Sequence, residues 1–135
     1  MARADVAIDA PELESDVRAL VGDGRVKANY VAGDWVREAH GAPCLMSIGV
    51  TNSNVARRPR AERNEVCARI AEAAVEWLRA GGRLAPGTLI SIGFFREVDL
   101  LVINWSIGAG GCAFWVETDM RLTTQPTVDD GNEAK

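Results

Sequence analysis

The strongest periodic pattern in the chain runs from Pro59 to Arg79 and predicts one long amphipathic α-helix. Apolar residues recur at helical spacing along one face, while most of the charged residues lie on the others. Gly81-Gly82 follows and ends the helix. Because such a helix must bury its apolar face, the rest of the chain has to supply a layer that covers it. The apolar stripe consists of Val66, Ile70, Ala73, Ala74, Trp77 and Leu78.

Three apolar segments after the helix predict the sheet that covers it. Residues 88–95, 98–107 and 112–120 are each rich in β-branched and aromatic residues. Arg96-Glu97 forms the first short connection between them, and the glycine-rich residues 108–111 form the second. Because short connections join antiparallel neighbours, these segments predict a three-stranded antiparallel meander.

The part of the chain before the long helix adds a helix and two strands. Pro11 occupies a favoured first position of an N-terminal helix that ends at Gly22. Residues 25–31 alternate between apolar and polar, as in a half-buried strand, and residues 43–50 are apolar on both faces, as in a central strand. This order predicts an α+β fold, a two-layer sandwich with the meander at its C-terminal end. Residues 35–42 are ambiguous between a short helix and a loop.

The length of 135 residues predicts a single α+β domain. We place this domain at residues 1–121 and a flexible acidic tail at residues 122–135, because the last segment contains almost no core residues. The segment 98–107 is apolar on both of its faces, and one long helix cannot cover both. Either the N-terminal helix packs behind the sheet or a second copy of the chain does, and we expect a homodimer.

Charge and hydropathy exclude several classes of partner. The chain has 15 basic and 19 acidic residues, a net charge of −4, and a pI near 5.0, which argues against bulk binding of nucleic acid or anionic membranes. No apolar run reaches the roughly 18 residues that a membrane helix needs, and no signal-peptide pattern opens the sequence. Cys44, Cys67 and Cys112 form no CxxC pair, so we expect three reduced core residues in a cytoplasmic protein.

Motifs for catalysis and for cofactor binding are absent from the sequence. His40 is the only histidine, and there is no dinucleotide or P-loop glycine pattern and no nucleophile elbow. We therefore expect no cofactor and no metal site, and we lean away from an enzyme. Cys44 lies four residues after His40, but Gly41-Ala42-Pro43 between them rules out helical facing. We interpret the two as a surface histidine and a core cysteine rather than a catalytic pair.

The most unusual segment is a basic loop, residues 51–63, in an acidic chain. Four arginines against one glutamate give residues 57–63 a net charge of +3. Short polar side chains lie just upstream, and the long helix behind them offers free N–H groups and the positive end of its dipole. This combination predicts binding of an anionic small molecule or of another protein with an acidic surface. The candidate residues are Thr51, Asn52, Asn54, Arg57, Arg58, Arg60 and Arg63.

Two carboxylates form a second, catalytic candidate. If residues 108–111 form a hairpin turn, Asp99 and Glu117 lie opposite each other or one step apart, and such a pair can hold Mg²⁺. The pattern REVDLLV…AFWVETDMR, within residues 60–121, resembles the core of PD-(D/E)xK nucleases, whose Asp and Glu would match these two residues. The lysine position of that family falls on Asp119, so the resemblance implies a degenerate relative. The alternative is that these acids keep the sheet edges soluble.

Trp35, next to Gly33-Asp34, is the best candidate for an exposed aromatic anchor at an interface. With the basic loop and the missing catalytic motifs, it favours a small, non-catalytic interaction module of the inhibitor, immunity or assembly-adaptor type. The alternative is a protein or enzyme that binds a nucleotide or another small molecule in a pocket between the long helix and the sheet. A relative of the metal-dependent nucleases is the third hypothesis.

Overall fold

The computed structural model describes residues 6–100 and 103–124 of the chain. Within these residues there are six strands and three α-helices, which alternate only as far as the fourth strand, and a short 3₁₀ helix, Asn54–Arg57, precedes the longest helix. The elements are β1 (Val6–Asp9), α1 (Pro11–Val21), β2 (Arg25–Ala32), α2 (Asp34–His40), β3 (Cys44–Thr51), α3 (Arg60–Ala80), β4 (Leu89–Leu100), β5 (Ile103–Val116) and β6 (Leu122–Thr124).

The six strands lie in one mixed sheet, and their order in the sheet is their order in the chain. Neighbouring strands are antiparallel except for β3 and β4, which are parallel. The parallel pair follows from α3, because this helix of 21 residues carries the chain back along the sheet between the two strands. The strands β4, β5 and β6 form an antiparallel meander. The predicted α+β class and two-layer arrangement are therefore confirmed.

The main hydrophobic core lies between one face of the sheet and a layer formed by α1 and α3. Alternate residues of the central strands enter this core, among them Ile48 of β3 and Ile92 of β4, each about 1% exposed. Leu13 of α1 and Ile70 of α3 belong to the same buried cluster. Because α1 packs beside α3, the structure excludes the alternative in which the N-terminal helix covers the opposite face.

The opposite face of the sheet is covered at one end by α2. Val36 of this helix is fully buried in a second cluster with Leu45 and Leu89. The segment that the sequence left ambiguous is thus a helix, and Gly41 ends it in the left-handed region at φ 69°. Since α2 has only seven residues, it leaves the rest of this face uncovered by the described elements. Small residues predominate there, namely Ser47, Gly49, Ser91 and Gly93.

The two connections predicted within the meander are wrong. Arg96 and Glu97 lie inside β4 and pair with β5. The two strands stay paired as far as Leu100 and Ile103 instead, so β4 has 12 residues and β5 has 14. The glycine-rich residues 108–111 lie within β5. The predicted strand 98–107 therefore contains the end of one strand and the beginning of the next.

The glycines of β5 form a bulge and not a turn. Gly93 of β4 lies opposite Gly111, and Phe95 lies opposite Gly108, so β5 has one residue more than β4 between these two pairs. Gly110 adopts a φ of 113°, which other residues rarely reach. The glycine run thus permits a local distortion of the β4–β5 ladder. Because turns also favour glycine, the same run resembles a turn in the sequence.

Two of the three cysteines form a disulfide bond, so the prediction of three reduced cysteines is wrong. Cys67 of α3 and Cys112 of β5 are bonded, with their Cα atoms 6.6 Å apart. Cys44 is free and buried, as expected. The sequence did not reveal the pair because its members lie 45 residues apart, on elements that meet only in the folded core.

The C-terminal segment 122–135, expected to be a flexible tail, begins with a strand. Leu122–Thr124 forms β6 and pairs with the end of β5, from Phe114 to Val116. The remainder of the expected tail, residues 125–135, lies outside the described residues. Among the helices of the described ranges, none combines the length and the hydrophobicity that spanning a lipid bilayer requires.

Candidate binding site at one end of the sheet

The loop that follows β3 packs closely against the turn that precedes β2. Gly24 in this turn adopts a φ of 87°. A Cβ atom on this residue would lie 2.5 Å from the carbonyl oxygen of Thr51, the last residue of β3. Only glycine permits this approach and this backbone conformation together. The two connections therefore form one packed unit at this end of the sheet.

Asp23 holds the first part of the loop in place. Its Oδ1 atom accepts a hydrogen bond of 2.8 Å from the hydroxyl of Ser53 and one of 3.1 Å from the backbone N–H of Asn54. The Ser53 hydroxyl in turn accepts from the backbone N–H of Val55 at 3.2 Å and so caps the 3₁₀ helix. The hydrogen bonds from Ser53 and Asn54, with the charge of Arg58 as a lesser cause, lower the pKa of Asp23.

Asn52 connects the loop to β4. Its backbone N–H donates to the carbonyl oxygen of Phe95 at 2.8 Å, and its side-chain oxygen accepts from the backbone N–H of Glu97 at 2.9 Å. Asn52 lies in the left-handed region at φ 60°, which asparagine tolerates better than most residues. Glu97 also forms an ion pair with Arg25 at the start of β2. The predicted ligand-binding residue Asn52 thus acts within the protein as a link between the loop and β4.

The arginines of the loop are presented from this anchored backbone. Arg57 ends the 3₁₀ helix, Arg58 follows it, and Arg60 begins α3; all three are exposed. Arg63, one turn further along α3, is half-buried, and its guanidinium lies 3.4 Å from the position of a Cβ on Gly110. We call the five arginines at this end of the sheet the basic end: Arg25, Arg57, Arg58, Arg60 and Arg63.

The basic end can bind carboxylate or phosphate groups. Each guanidinium is planar, stays charged at any physiological pH and can donate two parallel hydrogen bonds to one carboxylate. Asn54, the remaining polar candidate, is exposed beside these arginines, and its backbone N–H already donates to Asp23. The polar residues upstream of the arginines therefore fix the loop, and Arg57, Arg58 and Arg60 are exposed beside it.

Trp35 lies at the other end of the sheet. It belongs to α2, which precedes β3, whereas the basic end follows β3. The eight residues of β3 separate the two ends by about 23 Å at the usual strand rise. Trp35 is 55% exposed, and its ring meets that of His40 edge to face at 5.6 Å. The structure thus places the predicted aromatic anchor on a different surface from the arginines.

The expectation that Asp99 and Glu117 lie opposite each other is wrong. Asp99 pairs with Asn104 near the hairpin turn, whereas Glu117 follows Val116 at the far end of β5. Twelve residues of β5 lie between Asn104 and Glu117, and this separation corresponds to roughly 40 Å along the strand. Within the described ranges, no group of three or more His, Cys, Asp and Glu side chains could hold a metal ion. The two acids that carry the nuclease resemblance therefore do not form one site.

Cys44 and His40 do not form a catalytic pair. Cys44 faces the main core, and its Sγ atom lies 3.0 Å from the hydroxyl of Thr88. His40 is exposed at the end of α2, on the opposite face of the sheet. Tyr30 shares the cysteine's buried environment, where burial, together with contact with Cys44, raises the tyrosine pKa to about 12. The interpretation as a surface histidine and a core cysteine is confirmed.

A groove on the outer side of the helical layer was not predicted from the sequence. It lies between α1 and α3, measures about 810 Å³ and has Leu20 and Trp77 among its apolar residues. The indole N–H of Trp77 donates to Glu12 at 3.3 Å, and the guanidinium of Arg83 lies 5.7 Å from its ring. Trp77 was expected in the core because it continues the apolar stripe of the helix, but it lies half-buried at the margin of that core.

Comparison with known proteins adds no functional assignment, because no family model, no curated protein and no solved structure matches the chain. The geometry of the described residues is therefore the basis for the function.

Proposed function

We propose that this protein is a non-catalytic interaction module, of the inhibitor, immunity or assembly-adaptor type, whose basic end binds an acidic surface of a partner protein. The observation that carries the proposal is the grouping of five arginines at one end of the sheet, next to a loop that Asp23 and Asn52 hold in place. The chain as a whole is nevertheless acidic, with a net charge of −4. Such a contrast steers an acidic partner toward one end of the sheet and sets its orientation.

The anchored loop also lowers the cost of binding. Ordering a flexible loop and its side chains opposes association, and a loop that is fixed before binding avoids part of this cost. The capped 3₁₀ helix and the hydrogen bonds of Asn52 supply that order in the unbound chain. On binding, only side chains then have to adjust, namely those of Arg57, Arg58 and Arg60.

A compact acidic protein surface fits the basic end better than a long polyanion does. Glu62 and Glu65 lie on the same first turns of α3 and are exposed, and the net negative charge of the chain repels an extended nucleic acid. A small anion, such as a phosphorylated metabolite, remains the alternative occupant of the same arginines. The two alternatives predict different molecules bound to the isolated protein: a second polypeptide for the acidic partner, and a small anion for the metabolite.

The test compares the wild type with the charge-reversed variant R57E/R58E/R60E. Both are purified from their own cells under native conditions and examined by native mass spectrometry. We expect a second polypeptide at fixed stoichiometry with the wild type, reduced at least tenfold in the variant. The control R37E/R121E reverses two exposed arginines away from the basic end and should keep the partner. Equal recovery with both variants would contradict the proposal.

A titration with defined probes separates the two kinds of occupant. A short glutamate peptide represents an acidic protein surface, and inorganic phosphate and ATP represent small anions. The proposal predicts that the glutamate peptide binds the wild type in a salt-dependent manner and binds R57E/R58E/R60E at least tenfold more weakly. Stabilisation by phosphate or ATP without binding of the glutamate peptide would favour the small-anion alternative and overturn the acidic partner.

The other functional hypotheses gain no support from the geometry. The side chains described between α3 and the sheet belong to the packed core, among them Ile70, Ile92 and Phe94. The hypothesis of a ligand pocket between this helix and the sheet therefore stays a prediction. A homodimer is also a proposal, and its interface is argued separately below.

The cytoplasmic location stays a prediction as well, and the disulfide bond makes it testable. Disulfides persist mainly in oxidising compartments, and the bonded pair leaves Cys44 as the free thiol. Cells are quenched in acid, and thiols are then alkylated in denaturant without reductant. In a reducing cytoplasm all three cysteines should be modified, whereas modification of Cys44 alone would place the protein in an oxidising compartment.

A further inference from the structure

The hairpin of β4 and β5 extends beyond the rest of the sheet. The pairing of β3 with β4 ends at Phe95, whereas β4 and β5 stay paired as far as Leu100 and Ile103. On the other side, β6 pairs with β5 only near its end, from residue 114 to residue 116. Residues 96–100 and 103–107 therefore form a two-stranded ribbon that no other strand of the described ranges flanks.

The two edges of this ribbon differ in charge. The β4 edge carries Arg96, Glu97 and Asp99 within four residues, and charges on an edge strand are a common protection against pairing with another chain. The β5 edge, residues 103–108, reads INWSIG and contains neither a charged residue nor a proline. A further strand can therefore pair with the β5 edge, whereas the charges on the β4 edge oppose such pairing.

A two-stranded ribbon of this composition needs further strands beside it to be stable. Two-stranded ribbons are marginally stable in water, whereas three or more strands with an apolar face are stable. The ribbon is rich in apolar residues, including Val98, Leu100, Ile103, Trp105 and Ile107. Added strands would supply the backbone partners that the β5 edge lacks within the described ranges.

We propose that a second copy of this chain pairs with the β5 edge in antiparallel orientation, through residues 103–108 of both copies. The two ribbons then form one four-stranded sheet with a two-fold axis at its centre. The bulge at Gly110 ends the regular part of the edge, so it limits the contact to this segment and helps to fix its register. The paired segment adjoins the basic end but contains none of its five arginines.

A second copy fits this edge better than the other candidates do. An antiparallel strand pairs with itself symmetrically, and because the segment is uncharged, no like charges meet across the axis. The chain's own residues 125–135 would follow β6 along the same edge, but they contain Pro126, Asp129 and Asp130, residue types that strands disfavour. A foreign strand has no such built-in complementarity.

The first experiment measures the mass in solution by analytical ultracentrifugation over a dilution series. We expect twice the 14.5 kDa of the chain at high concentration. The variant N104K/S106K places like charges across the axis and should weaken self-association at least tenfold. Its control, T123K, adds a lysine to the exposed Thr123 of β6 and should dimerise as the wild type does. A dimer that persists in N104K/S106K, or a monomeric wild type, would overturn the proposal.

Amide hydrogen exchange of the wild type keeps the test decisive even if the double variant misfolds. Residues 103–108 should be protected in the concentrated protein and lose protection on dilution. Protection that is independent of concentration and disappears when the chain is truncated after Thr124 would assign the edge to the C-terminal segment instead. The variant R57E/R58E/R60E should leave the dimer unchanged, so failure of the proposed basic end and failure of this interface can be told apart.

Discussion

Cys67 of α3 and Cys112 of β5 are joined by a disulfide bond, with their Cα atoms 6.6 Å apart and their positions 45 residues apart in the sequence. Since α3 also carries the chain from β3 to β4, the bond attaches the crossover helix to the strand beyond β4. It therefore fixes the helical layer on the meander at a position next to the bulge of β5. A link that closes a loop of this size stabilises a fold mainly by restricting the unfolded chain.

Removal of this bond should lower the free energy of unfolding by about 3–4 kcal/mol. Urea denaturation of the wild type and of the variant Cys67→Ala/Cys112→Ala measures the loss. Addition of a reductant should destabilise the wild type and leave the variant unchanged, because the remaining Cys44 is free. Titration of thiols in the denatured, unreduced protein should find one per chain, and a count of three would contradict the bond.

The long helix shows what the sequence could predict. Its apolar stripe predicted a helix from Pro59 to Arg79, and α3 runs from Arg60 to Ala80, because one face of a single sheet buries that stripe. The boundaries of β4 and β5 could not be predicted in this way. A run of glycines fits both a turn and a bulge, and only the pairing of Gly93 with Gly111, a contact between distant segments, decides between them.

The sequence predicted which charged residues belong to the candidate site, but not the contacts that hold them in place. The arginines stood out in the sequence, yet Asp23, which organises their loop, lies 30 residues before Ser53 and gave no signal of that contact. Asn52 was expected to bind a ligand, but its oxygen is used by the backbone of Glu97. Trp35 was assigned to the same surface because the sequence alone does not say which elements lie at the two ends of β3.

The titration of Tyr30 should differ between the folded and the unfolded protein. Burial raises its pKa from 10.0 to about 12, and because Tyr30 is the only tyrosine, the ultraviolet absorbance of tyrosinate reports this group alone. We expect a midpoint of about 12 in the folded protein and near 10 in urea. The folded state holds the proton more tightly, so the contribution of Tyr30 to stability is complete below pH 10 and is lost as the pH rises toward 12. A midpoint near 10 in the folded protein would contradict the assignment.

The loop should loosen when Asp23 loses its charge. The pKa of Asp23 is lowered by hydrogen bonds from Ser53 and Asn54, so its stabilising effect is present above the unfolded pKa, near 4, and is lost as the pH falls through the folded value. We expect the amides of Asn54 and Val55 to exchange faster in Asp23→Ala than in the wild type at neutral pH, and the difference to vanish in acid. Asp16→Ala removes an acid from the exposed face of α1 and serves as the control. Unchanged amide exchange in Asp23→Ala would refute the anchoring role.

The packing of Gly24 against β3 predicts a difference between two otherwise similar alanine substitutions. Gly22 and Gly24 have almost the same positive φ, 86° and 87°, so both substitutions should cost about 1 kcal/mol through backbone strain. A Cβ on Gly22 meets nothing within 4 Å, whereas one on Gly24 would lie 2.5 Å from the carbonyl oxygen of Thr51. We therefore expect Gly24→Ala to destabilise the protein by at least about 1 kcal/mol more than Gly22→Ala does in urea denaturation. Equal losses would mean that the turn and the loop are not packed together, and the arginines would then lack the fixed support on which their proposed role depends.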